Sequence, residues 1–331
     1  MDKMQNGENL TSVLKPNYEL LKPKAEKFMF ALREQLEQLL ATNSITLAVP
    51  IESRIKQFDS MSEKIKRNEL QIKNVLELND FVGIRLILLF KRDLEKIHEV
   101  IMKAFKVLSY EDTGARLSTK QFGYQSFHYI VGFPDQWLKI PSLKDFGSFK
   151  AEIQVRTLAQ HMWAAASHVL QYKQESSVPL PIMRSIYRVS AILETIDFEF
   201  ERLLHERESY ILKIDTNQDD IQLNVDVVQR ILDELLPKEN KGIDEDYGLL
   251  IKDLNNEKIY TVGQLRHLIV PNLAQILKHD KEIVKAISEN SIEKTKYLKE
   301  SWGRAERGVF FVHSGLVRDA LEFQSFKKLG K

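Results

Sequence analysis

Apolar side chains follow three different rhythms along this chain. Over 17–42, "NYELLKPKAEKFMFALREQLEQLLAT", Leu21, Phe28, Leu32, Leu36 and Leu39 recur near helical spacing, which predicts an amphipathic helix. "SITLAV" then predicts a short strand ended by Pro50, and residues 51–79 are charged and helix-prone. The rhythm changes at "FVGIRLILLF", a short unbroken apolar run of the kind a strand buried on both faces needs. "LEKIHEVIMKAF" predicts a helix after it. "SFHYIVGF" and "SFKAEIQVRT" alternate with a period of two, so each predicts a strand with one buried face, and "LAQHMWAAASHVLQYK" returns to helix.

After "SSVPLP" a third rhythm begins. Ile182, Ile186, Val189, Leu193, Ile196, Phe200 and Leu203 step by four and three, a heptad seam. Such a seam fits either a long helix lying on its own domain or a helix that pairs with a second copy, so a homo-oligomer through 182–214 is one expectation. Beyond Asp215, "DVVQRILDELL", "TVGQLRHLIV" and "NLAQILKHDKEIVKAI" read as helices, and "HD" at His279 and Asp280 reads as an isolated surface dipeptide.

The expected fold class is therefore α+β: a mixed β-sheet flanked by helices, then a long helix and an all-α C-terminal extension. The expected division is 1–44, a helical segment packing on the core; 45–175, the sheet domain; 176–215, the heptad helix; and 216–331, a helical extension with no recognisable chemistry.

Composition narrows the function. Forty-eight Lys and Arg against 47 Asp and Glu make global charge no argument for a nucleic-acid partner. The absence of cysteine rules out disulfides, thiolate metal sites and a cysteine nucleophile. The best apolar run is interrupted by Arg85 and too short for a membrane span, and "MDKMQNGENL" lacks a signal pattern, so a cytoplasmic protein without a membrane partner is expected.

Four stretches carry candidate chemistry. In "AEIQVRT" a strand would send Ala151, Ile153 and Val155 to a core and Glu152, Gln154 and Arg156 to the opposite face, as a solvated surface or the floor of a cleft. On the following helix His161, Ala165, His168 and Tyr172 share a face; histidines seven apart are too distant for a compact metal pair. In "SRIKQFDSMSEKIKR", Arg54, Lys56, Ser60 and Lys64 cluster over two or three helical turns. Guanidinium, ammonium and hydroxyl groups suit a polyphosphate, although interspersed Glu52, Asp59 and Glu63 equally describe a charged solvent face. In "NDFVGIRLILLF", Asp80 stands just before a buried strand, and Arg85 within it needs a partner. Asp80 and Glu152 together would suit a Mg²⁺ that also touches substrate phosphates. No glycine loop of the Walker type is present.

Taken in order, "RIK...S...K", "D...GIR", "K..GYQSFHY" and "EIQVRT...H.WA...H...YK" resemble the synthetase domain of the RelA/SpoT alarmone synthetases, and in particular its small single-domain members, over about 45–175. The resemblance implies a nucleotidyltransferase-like domain that moves the β,γ-diphosphate of ATP to the 3′-hydroxyl of GDP or GTP, leaving AMP and (p)ppGpp. By motif position it implies that Arg54 and Arg85 sandwich the adenine and that Lys56, Ser60 and Lys64 grip the phosphates. It implies Asp80 and Glu152 as Mg²⁺ ligands, with Glu152 also the base. Lys120, Gln154, Arg156 and His161 would line the acceptor side, and Tyr124, held on the turn at Gly123, would stack on the acceptor base.

Departures from the family pattern all fall on the acceptor half. Lys120, Gln121 and Phe122 stand where Lys-Pro-Asn or Lys-Pro-Ser is common, Ser167 precedes His168 where an acidic residue is common, and His161 replaces a frequent asparagine. An alternative is a toxin-like relative that transfers pyrophosphate to the tRNA 3′ end or to adenine nucleotides. Lys139, Lys144 and Lys150 would then be candidates for a basic patch. A nucleotide sensor without activity is disfavoured, because every donor-side position holds a competent residue. Fewer than fifty residues precede the synthetase region, leaving no room for the family's histidine–aspartate hydrolase domain.

Overall fold

β2, Val82–Leu88, is the apolar run of the sequence, and it lies inside a five-stranded sheet. On one side it pairs antiparallel with β1, Glu52–Ile55; on the other it runs parallel to β5, Ala151–Thr157. β5 pairs antiparallel with β4, Phe127–Gly132, and β4 with β3, Lys106–Asp112, giving the order β1-β2-β5-β4-β3. The sheet is thus mixed, and the α+β expectation holds. The computed structural model describes residues 2–113, 126–169, 179–242, 245–289, 303–305 and 308–329. Lys120, Gly123, Tyr124 and Tyr172 lie outside the described residues, as does the side chain of His168.

Helices cover the sheet. α1, Asp2–Thr42, begins well before the expected residue 17 and runs through Pro16 and Pro23. A proline inside a helix removes a backbone bond, and here an unbroken apolar stripe compensates. Leu14, Tyr18, Ala25, Phe28, Leu32, Leu36 and Leu40 are all buried in the cluster that also holds β2 and β5. Phe28 packs against Phe133, Phe146 and Phe149, with ring centres 5.0, 5.7 and 5.7 Å away. α2 is Phe58–Arg67, α3 Asp93–Ala104, α4 Leu158–Val169 and α5 Leu180–Lys213.

Three local expectations need correction. "SITLAV" makes only a single bridge, Leu47 to Leu88, rather than a strand. The segment 51–79, read as helix-prone, contains β1 as well as α2, so Arg54 is on a strand and Lys56 on the link after it. A four-residue strand is too short for periodicity to declare itself. β3 is an additional strand on the sheet edge; with Lys106 and Leu108 to Tyr110 exposed, its pattern carries little alternation.

Two compact units divide the chain, Met1–Leu204 and His205–Lys331. The second is helical: α6, Val225–Leu235; α7, Tyr247–Asn256; α8, Val262–Ile269; α9, Leu273–Ser288; and α10, His313–Leu329. Asn224, Asp246 and Thr261 cap α6, α7 and α8, each accepting a backbone N–H of the first turn. Val228, Ile231, Leu250, Leu265, Ile276 and Leu316 centre its core. The "HD" pair is not a surface dipeptide. Asp280 is buried and its Oδ1 accepts the N–H groups of Phe310 and Phe311 at 3.1 and 2.6 Å, while His279 Nδ1 lies 2.8 Å from Asp319. Loop amides that need acceptors, invisible to helix periodicity, explain the buried acid. Among the described residues no helix is long and apolar enough to cross a membrane.

Candidate active site

Register builds the site. Arg54 lies opposite Gly83, Gly83 opposite Glu152, and Glu152 opposite Ile130, in one row across four strands. Two residues along, Glu52 faces Arg85, Arg85 faces Gln154, and Gln154 faces His128. Cross-strand partners share a face of the sheet, as do residues two apart on a strand. Arg54, Arg85, Glu152, Gln154 and His128 therefore rise from one face, while Ala151, Ile153 and Val155 are fully buried on the other. Gly83 contributes no side chain between Arg54 and Glu152; a Cβ there would meet Arg54 Cγ at 3.7 Å. Its absence opens the floor.

Two adjoining cavities share Arg54. One, of about 190 Å³, is bounded by Arg54, Asp80, Gly83, Arg85, Glu152 and Gln154. The other, of about 530 Å³, is bounded by Arg54, Lys56, Ser60, Lys64 and Arg67. α2 turns Met61 and Ile65 into the core, which leaves Ser60 and Lys64 on the cavity side.

The carboxylates are held in different ways. Asp80 Oδ2 accepts from Lys56 Nζ at 2.6 Å and from Lys64 Nζ at 2.7 Å. Asp80 Oδ1 is buried with no hydrogen-bond partner among the described residues. Burial pushes this acid up, but the two ammonium groups outweigh it and hold it below the ordinary carboxylate range. Glu152 is gripped on both oxygens, with His128 Nδ1 2.9 Å from Oε1 and Gln154 Nε2 donating to Oε2 at 3.1 Å. Burial raises it, His128 and Gln154 lower it, and the net displacement is downward; the negative charge of Asp80 works against this.

The chain of polar contacts continues in both directions. His128 Nε2 lies 2.7 Å from Ser126 Oγ, and Arg156 Nη2 donates to Gln154 Oε1 at 2.7 Å. Arg156 is buried, not on an open strand face as the alternation alone implies. Arg85 Nη1 donates to Glu52 Oε2 at 2.6 Å, which supplies the partner that a charge in an apolar strand requires. His161, on the first turn of α4, has its pKa lowered by burial and then by Arg156; Arg85 adds to this and Glu52 opposes it. Lys150 donates to the Glu77 carbonyl and to Asn79 Oδ1 at 3.0 and 2.7 Å, so it serves a local turn.

Asp80 and Glu152 suit a hard divalent cation. They border one cavity, feel each other's charge, and include one buried acid oxygen without a donor. Among the described residues no group of three or more potential ligands occurs, so a cation held here would take its other ligands from substrate or water. Sequence reasoning missed Glu52, Gly83 and His128 as site residues. The alternation in "SFHYIVGF" carries the facing of His128, but only the β4–β5 register brings it to Glu152.

Over residues 53–177 the chain matches the region found in RelA / SpoT proteins. It is 30% identical over 159 residues to the GTP pyrophosphokinase YwaC of Bacillus subtilis, covering 45% of this chain and 71% of that one. To the GTP pyrophosphokinase YjbM of the same organism it is 29% identical over 162 residues, 47% of this chain and 74% of the other. The chain belongs to the RelA/SpoT family of pyrophosphokinases. Among solved structures it is similar to the small alarmone synthetase 1 from Bacillus subtilis, at 25% identity and a TM-score of 0.46, over 58% of this chain and 97% of that one.

Proposed function

We propose that this chain transfers the β,γ-diphosphate of ATP to the 3′-hydroxyl of GDP or GTP, forming ppGpp or pppGpp. The observation that carries the reading is that Asp80 and Glu152, 72 positions apart in the sequence, border one cavity, with a cationic chamber adjoining it at Arg54. Phosphoryl-type transfer needs mostly positioning and charge stabilisation, and this arrangement supplies both.

Arg54 and Arg85 stand two residues apart in register and would present guanidinium faces to the adenine. Lys56, Ser60 and Lys64 would hold the phosphates, the two lysines exchanging part of their contact with Asp80 for phosphate oxygens. Asp80 and Glu152 would hold Mg²⁺, which neutralises charge on the migrating diphosphate. Glu152, ionised at neutral pH by its hydrogen bonds, accepts the proton of the attacking 3′-hydroxyl. The acceptor oxygen bonds to the β-phosphorus, the bond from that phosphorus to the α-phosphate oxygen breaks, and AMP leaves with the electron pair. Lys120, Gln154, Arg156 and His161 would line the acceptor side, with Tyr124 as the stacking platform for the acceptor base.

The test is to incubate the full chain with Mg²⁺ and γ-labelled ATP, offering GDP, GTP, ATP and deacylated tRNA separately. Label entering guanine nucleotides supports the proposal. Label entering only tRNA or adenine nucleotides replaces the acceptor, and no labelled product at all removes the activity.

A further inference from the structure

A buried acid outside the cavity is tied to its acceptor end. Asp197 lies on α5, a helix that contributes no residue to either cavity, and it is only 5% exposed. Its Oδ2 accepts the hydroxyl of Thr157, itself fully buried, at 2.7 Å. Thr157 is the last residue of β5, directly after Arg156, and it starts α4. There Thr157 Oγ1 accepts the N–H of Gln160 at 3.2 Å, and Gln160 Oε1 accepts the N–H of Thr157 at 2.9 Å. This reciprocal pair satisfies amides that a helix start leaves open. His161 follows Gln160 on that first turn.

The neighbourhood is organised around this contact. Lys91 Nζ sits 4.2 Å from the ring centre of Phe198, and Glu201 accepts the N–H of Arg92 at 3.2 Å, so the turn between β2 and α3 holds α5 over the turn that follows Asp197. Burial pushes the Asp197 carboxyl up, with the Thr157 hydroxyl and Lys91 pulling the other way. A carboxylate is an expensive way to satisfy one hydroxyl, since an amide or a second hydroxyl would do. What the acid adds is a strong, directional acceptor that leaves Thr157 Oγ1 a single orientation, lone pair toward Gln160.

We propose that Asp197 is a positioning residue for the acceptor half of the site: through Thr157 it sets the start of α4, and with it the placement of Arg156 and His161. The assignment rests on the acceptor role proposed above for those two residues. α5 thereby becomes a lever on acceptor binding, while the donor residues of β1 and α2 stay outside its reach.

The test uses the full chain with Asp197→Ala, Asp197→Asn, Thr157→Val and Thr157→Ser. Two readouts are taken: hydrogen exchange at 158–161 compared with 58–67, and KM for ATP and for the guanine nucleotide separately. Asp197→Ala and Thr157→Val should speed exchange at the start of α4 about tenfold, as expected for one lost hydrogen bond, without changing α2. They should raise the acceptor KM by about tenfold or more with the ATP KM within about twofold, because small misplacements of binding groups are costly. Thr157→Ser, which keeps the hydroxyl, should recover most of both effects, and Asp197→Asn, whose amide oxygen is a weaker acceptor, should recover part of them. Unchanged exchange at 158–161 would overturn the coupling, and a parallel rise in both KM values would reduce Asp197 to a stabilising contact. If the parent chain transfers nothing, the proposed reaction fails on its own, and the exchange arm still decides the coupling.

Discussion

His128 Nδ1 lies 2.9 Å from Glu152 Oε1, a diagonal contact between β4 and β5, since the residue directly opposite His128 is Gln154. The contact turns the carboxylate and, through Ser126 on the other ring nitrogen, is itself held in place. Glu152→Gln removes the proposed base yet keeps the shape, so transfer should fall by roughly 10²–10⁴-fold while affinity for Mg²⁺-free ATP is preserved. His128→Ala should give a smaller loss in kcat, again with ATP binding intact. Label transfer and equilibrium ATP binding measure the two quantities.

Asp80 divides its work between two lysines and a free oxygen. Asp80→Asn should raise the Mg²⁺ concentration needed for half-maximal transfer, because a neutral amide is a poor ligand for a hard cation. A titration of activity against Mg²⁺ at saturating ATP would show the rightward shift. An unchanged titration would remove Asp80 from the metal site.

Arg85 is oriented by Glu52, with 2.6 Å between Nη1 and Oε2. Arg85→Ala should weaken ATP by about tenfold, the scale of a guanidinium stacked on a ring in a partly dry site. Glu52→Gln should weaken it less, since it loosens the guanidinium without removing it. Nucleotide titration followed by calorimetry separates the two.

Protonation of His161 is opposed by burial and by Arg156, so its folded-state pKa lies below the ordinary imidazole value. The unfolded chain therefore binds that proton more readily, and stability is lost as pH falls through the ordinary imidazole range. Melting temperature should decline from about pH 7.5 to about pH 5.5, and His161→Gln should flatten that part of the curve. The depressed carboxylates Asp80 and Glu152 act in the same direction, but their loss comes only at more acidic pH, below the ordinary carboxylate range.

Phe28 is fully buried and meets three aromatic rings, so α1 is part of the core of its unit. Phe28→Ala should cost about 3–5 kcal/mol of stability, measured by denaturant unfolding.

Much of the fold was legible from periodicity. The unbroken run at 82–88, the alternation at 127–132 and 151–157, and the stripe ending at Leu40 each declare an element, because burial imposes the period. What periodicity could not show was short or half-exposed: the four residues of β1, the edge strand β3, and the first fifteen residues of α1. The site divides along the same line. Arg54, Lys56, Ser60, Lys64, Asp80, Arg85, Glu152 and Gln154 are found bordering the two cavities or hydrogen-bonded to residues that do. Glu52 and Gly83 carry no local signal, since their place depends on which residue stands opposite.

Alternation along the chain is enough to say which side chains share a strand face, and the resemblance of its motifs names those that a phosphate-handling site would use. That β2 runs parallel beside β5 and antiparallel to β1 emerges only in the assembled fold. Strand pairing puts Asp80 and Glu152 on one cavity and gives Arg85 its acid and, through β4, Glu152 its imidazole, while the packing of α5 buries Asp197 against Thr157. Period and propensity act within a few residues, whereas pairing is chosen by the whole core, which buries Ala151, Ile153, Val155 and the α1 stripe together.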